Sequence, residues 1–119
     1  MATRTGVLTK DEGGKVTMTW EGLLRSSTDV GSGLNPGAVN GLTCQLIGTL
    51  GTGGAITMQG SNDGGTTWGT LQDPAGTAIV MDAIGEMFLI AGRPGLIRPN
   101  ATAGDGSTDL DVIVVGQRA

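Results

Sequence analysis

An all-β fold, a β-sandwich of about eight short strands with jelly-roll-like wiring, is what the sequence predicts, on three observations. Glycine makes up 23 of the 119 residues, and with many Thr, Val and Ile it disfavours helices and suits short strands joined by tight turns. Apolar and polar residues alternate with period two in several short runs. Turn-forming clusters separate those runs at nearly regular spacing, with no helical pattern between them. Strand count alone leaves an immunoglobulin-like Greek key as the alternative wiring.

Residues 1–14 read as a flexible N-terminal arm, polar and glycine-containing, with only Val7 and Leu8 to bury. Such an arm is expected to order on a neighbour, by strand addition through residues 3–9. Residues 15–119 read as a single β-sandwich domain, a size that one core can fill. Its clearest strand is 15–21, where Val16, Met18 and Trp20 point one way and Thr17 and Thr19 the other. Further strands are expected at 42–48, 55–60, 67–71, 78–81, 86–90, 96–102 and 109–115. The glycine stretch 48–54 reads as a flexible hairpin connection. Asn35-Pro36-Gly37, Asp73-Pro74-Ala75-Gly76 and Arg93-Pro94-Gly95 each combine a preset φ at Pro with a nearby Gly, and read as turns. Pro99 has no N–H for a ladder, so its strand is expected at an edge or with a bulge. Asp82 could cap a short helix through Glu86 and Phe88, but the Phe88-Leu89-Ile90 run between glycines favours a strand.

The chemistry-bearing residues exclude more than they offer. The chain has no His and no Tyr, which removes the commonest general base, the usual zinc ligand and the Ser-His-Asp and Cys-His arrangements. Asp109 and Asp111 share one strand face and could act as an acid and base pair, but they fit the solvated side of a strand that turns Leu110, Val112 and Val114 inward. The segments Ser61-Asn62-Asp63-Gly64-Gly65 and Asp105-Gly106-Ser107-Thr108-Asp109 lack the spacing of a calcium loop and suit Asx-turns instead. No metal or cofactor is expected. Cys44 is the single cysteine, cannot close an intrachain disulfide, and alternates with Leu42 and Leu46 as an inert core residue. Trp20 and Trp68 both lie in strand-like patterns and are expected in the core. The net charge of -4 and a pI near 4.4 argue against nucleic acid and anionic membranes as partners. Neither a membrane span nor a secretory leader is expected.

Two runs resemble a known family. Met58-Gln59-Gly60-Ser61-Asn62-Asp63-Gly64-Gly65-Thr66-Thr67-Trp68 looks like a hairpin, strand then SNDG tip then Trp-led strand, of small β-rich structural proteins of tailed bacteriophages. Residues 95–102 followed by 104–112 look like the closing hairpin of the same proteins. The resemblance covers roughly the C-terminal half and points to head decoration, or capsid cement, proteins. It implies a non-enzymatic virion structural protein on the outer capsid surface, made in the host cytoplasm. Its partners would be the major capsid protein and itself, as a homotrimer, with no nucleic acid and no membrane. The contact residues expected are Thr3, Arg4, Thr5, Val7 and Leu8 of the arm, with Arg93 and Arg98.

The SNDG hairpin and an Ile-Arg strand also resemble discoidin-type, galactose-binding jelly rolls, so a carbohydrate-binding module is the first alternative. This chain departs from that pattern in lacking the framing cysteine pair and loop aromatics for sugar stacking. A phage tail or baseplate structural protein is the second alternative. Assembly has a physical motive as well, because glycine inside a regular element costs roughly 0.5–1 kcal/mol relative to Ala. Glycines in turns carry no such penalty.

Overall fold

The computed structural model describes residues 3–11, 13–24, 29–37 and 39–118. The described residues form eleven strands and no helix: β1 (Thr3–Arg4), β2 (Val7–Lys10), β3 (Lys15–Leu24), β4 (Val30–Gly31), β5 (Val39–Thr49), β6 (Ala55–Ser61), β7 (Gly69–Thr70), β8 (Val80–Met81), β9 (Met87–Ile90), β10 (Leu96–Ala103) and β11 (Asp109–Arg118). They make two packed sheets. One has the order β2-β3-β11-β5-β9; the other has the order β1-β4-β10-β6-β7, with β8 also on β6.

The wiring is that of a jelly roll. Leaving aside β1, β2 and β7, the eight remaining strands pair antiparallel from the ends of the chain inward: β3 with β11, β4 with β10, β5 with β9 and β6 with β8. A long antiparallel hairpin rolled on itself gives this nesting, and the roll then lays β11 beside β5 and β10 beside β6. The Greek-key alternative of immunoglobulin domains lacks these nested pairs.

Period-two alternation explains the core between the sheets. Val16, Met18 and Trp20 on β3, Leu42, Cys44 and Leu46 on β5, and Leu110, Val112 and Val114 on β11 are all buried. They face Ile56, Met58, Ile97, Ala101 and Met81 of the other sheet. Trp20 is placed by both packing and polarity, since its indole N–H donates to the Ser32 carbonyl at 2.8 Å. Cys44 is buried as expected, and burial pushes its thiol up to about 11.

Four local features correct or refine the expectations. Pro99 lies on β10, which is interior to its sheet and not at an edge, so of the two placements expected for its strand the irregular one holds, with a register shift between Ala101 and Ala103. Its nitrogen faces the β4 side with the amides of Ile97 and Ala101, which donate to Leu34 and Asp29 carbonyls. Between those two bonds the register slips, from Leu34 opposite Ile97 to Val30 opposite Asn100, so a local irregularity absorbs the missing donor. Second, Trp68 is only half-buried and outside the core. Third, the strand favoured over 86–90 is present as β9, and residues 82–86 form a tight turn before it in place of the alternative helix, closed by Asp82 N–H donating to the Glu86 carboxylate at 3.0 Å. Fourth, the described residues of the expected arm run as β1, parallel to β4, and β2, antiparallel to β3. Residues 1, 2 and 12 of that segment lie outside the described residues.

Candidate interaction surface

The outer side of the five-stranded sheet presents residues of all five strands in register. The register places its outward side chains in straight rows across all five strands. One row is Val7, Thr19, Ile113, Gln45 and Met87; the next is Thr9, Thr17, Val115, Thr43 and Leu89. Neither row carries a charge, in a chain of net charge -4. A solvated sheet face ordinarily alternates core residues with polar and charged ones, so two adjacent uncharged rows mark a surface suited to contact. On β3 and β11 the charged outward residues stand toward the strand ends, Lys15 at one end and Glu21, Asp109 and Asp111 at the other.

Exposed apolar side chains concentrate along the borders of this face. Met87 and Leu89 on edge strand β9 are 59% and 50% exposed, and Val7 on the opposite edge strand β2 is 59% exposed. Ile84 and Val80, at 48% and 40%, continue the β9 border around the side of the sandwich. A depression of about 330 Å³ opens at the β2 border, lined by Thr5, Val7, Thr9, Thr19 and Glu21. It is open and threonine-lined, without the apolar walls and converging polar groups of a small-molecule site.

The expected contact residues scatter over the molecule. Thr5 and Val7 border the uncharged face, and Thr3 is exposed on β1. Leu8 turns inward against the core. Arg4 holds the fold together, its Nε 2.6 Å from a carboxylate oxygen of fully buried Asp29. Arg93 donates to the Val39 carbonyl. Arg98 lies on the other sheet, its guanidinium 4.0 Å from the centre of the Trp68 ring and its Nε donating to Gln59 at 2.8 Å. That stacking uses a face of the half-buried Trp, and its indole N–H is given to the Gly65 carbonyl at 2.9 Å.

The acidic segments are built as turns. In the 61–67 loop one Asp63 carboxylate oxygen accepts the Thr67 N–H at 2.8 Å and the Ser61 hydroxyl at 2.7 Å. These bonds, the Thr67 one foremost, hold the Asp63 carboxyl at about 2. Asp105 is held at about 2 by the Ser107 hydroxyl, then by the Ser107 N–H. Asp111 accepts the Gly22 N–H at 3.0 Å, and so fastens the bulge where β3 slips against β11. Glu21, Asp109 and Asp111 surround an open groove of about 460 Å³, but among the described residues no three acidic or Cys side chains converge as metal ligands.

Four of the five strands that carry the uncharged face, β3, β5, β9 and β11, were legible in the sequence; β2, within the expected arm, and the face itself were not. Outward Thr43, Gln45, Ile113 and Val115 were visible as alternation partners of core residues; which strands lie side by side was not. Compared with known proteins, the chain matches no family model, no curated protein and no solved structure.

Proposed function

We propose that the chain is a non-enzymatic structural module of a virion, a decoration protein that binds the outer surface of a phage capsid and stabilises it. The observation that carries this reading is the pair of uncharged rows across the five-stranded sheet, bordered by exposed Val7, Met87 and Leu89. An uncharged sheet face suits protein surfaces, and the open depression at its border lacks the apolar walls and converging polar groups a small ligand needs. The resemblance of residues 58–68 and 95–112 to phage decoration proteins directs the choice of partner to the major capsid protein and to other copies of the chain. Many weak symmetric contacts then act together on the shell.

The test mixes the purified protein with capsids assembled without it, and separately with a panel of soluble glycans. Saturable co-sedimentation and a raised melting temperature of the shell are expected. An Ile84→Glu variant, altered on the exposed border away from the core, is expected to bind less while melting as the wild type does. Glycan binding without capsid binding would replace this reading with the carbohydrate-binding one, and binding to tail assemblies alone with the tail or baseplate one.

A further inference from the structure

We infer that the uncharged face packs against the same face of a second copy, in a two-fold dimer whose axis lies in the sheet plane at right angles to the strands. The inference rests on the reading of the chain as a structural module and names the partner of that face.

The three strands β3, β11 and β9 of the face read as a palindrome about one row. Leu8, Met18, Val114, Cys44 and Phe88 are paired in a straight line across β2, β3, β11, β5 and β9, and point to the core. One step to either side, the outward residues match in kind on three of the five strands, Thr17 and Thr19 on β3, Ile113 and Val115 on β11, and Leu89 and Met87 on β9, while β5 sets Thr43 against Gln45 and β2 sets Val7 against Thr9, all uncharged. A half-turn about the row reverses every strand and lays it over its own copy. Ile113 of one copy then meets Val115 of the other, and Met87 meets Leu89.

Charge gives the second, independent match. Three steps out from Met18, β3 presents Lys15 at one end and Glu21 at the other, both exposed and about 20 Å apart at roughly 3.3 Å per residue. Neither forms an ion pair with a described residue. The half-turn sets Lys15 of each copy on Glu21 of the other, two pairs per dimer. The other way to stack two identical faces, a half-turn about an axis along the strands, lays β3 over β5 and sets Lys15 over Gly41, with no charge match.

Size sets the strength. Five strands at about 4.8 Å and rows two residues apart give a footprint on the order of 400 Å² per copy, roughly half the ~800 Å² per partner of a standard stable interface. Aligned sheets cross at about -30°, so register is best at the middle strand β11. The dimer is therefore weak in dilute solution and fills where copies crowd together, and it leaves Val80 and Ile84 uncovered for the shell.

Analytical ultracentrifugation of the full chain without capsids, over a wide concentration range, tests this. A reversible monomer–dimer equilibrium is expected. Ile113→Lys should abolish it while circular dichroism and cooperative melting stay native. Lys15→Glu and Glu21→Lys should each weaken association roughly ten-fold, and the double reversal should restore it. A strict monomer, a trimer, or a double reversal no tighter than the singles overturns the inference. Failure here leaves the capsid-binding result standing, whereas an intact dimer that does not bind capsids overturns only the decoration reading.

Discussion

Gly31 on β4 leaves no room for a side chain: a Cβ there would lie 2.5 Å from Pro99 Cδ and 2.6 Å from Trp20 Cδ1. Gly31→Ala must therefore move two buried rings, and is expected to cost about 1–3 kcal/mol by urea denaturation. Gly69→Ala, at a strand position with nothing within 4 Å, is the neutral control. Asp63 and Asp105 predict a pH effect whose sign follows from their depressed carboxyls. A group bound more tightly as the anion in the folded state stabilises it above its unfolded pKa, near 4, and that contribution is lost as pH falls through the folded value of about 2. Asp63→Asn should thus lower the denaturation midpoint at neutral pH, by an amount that shrinks as pH falls toward 2 and vanishes below it. Of these residues, the sequence showed the Asx-turn chemistry of Asp63 and Asp105, because those bonds join residues two to four apart. The Gly31 contact joins segments distant in the chain and had no local signature.

At the scale of elements, the short strands β1 and β4 are held by one ion pair and the bonds around it. Asp29 is fully buried against Arg4, the Ser32 N–H donates to the Arg4 carbonyl at 2.8 Å, and the Gly6 N–H donates to the Ser32 hydroxyl at 2.9 Å. Arg4→Ala is expected to cost roughly 1–3 kcal/mol, less than for a fully enclosed pair because Arg4 is partly exposed. Faster hydrogen exchange at the Ser32 and Gly6 amides, with β11 amides unchanged, would place the loss at this edge. The long strands were legible from alternation, since β3, β5, β10 and β11 bury every second residue over 16–20, 42–46, 97–101 and 110–116. The two-residue strands β1 and β4 were not, because so short a run has no period; only the pairing partner makes it a strand.

Over the whole molecule, the nested pairing joins the ends of the chain: Gly22 and Asp111, bonded across the β3–β11 bulge, are 89 residues apart in sequence. Most of the sheet must therefore await loop closure, and folding in roughly milliseconds to seconds is expected by stopped-flow fluorescence of the tryptophans. Cys44 reports the same cooperativity. Buried with its thiol pushed up to about 11, it should react with a thiol reagent only as fast as global unfolding allows, and faster reaction would reveal local opening of β5. Positive φ at 12 of the 23 glycines also bears on stability, because those residues adopt the conformation glycine favours and do not weaken strands. The glycine content is thus a weaker motive for assembly than the uncharged sheet face.

The sequence by itself determined the strand-rich class, the inward residues of each long strand and the turns, because alternation and turn chemistry act between residues a few positions apart. Only the tertiary structure decided which strands became neighbours. That choice set Ile113 beside Gln45 and Thr19, and closed the rows from Val7 to Met87. Along any one strand the outward residues look like ordinary alternation partners of the core. Their lack of charge becomes a surface property only when five strands from distant parts of the chain are laid in register.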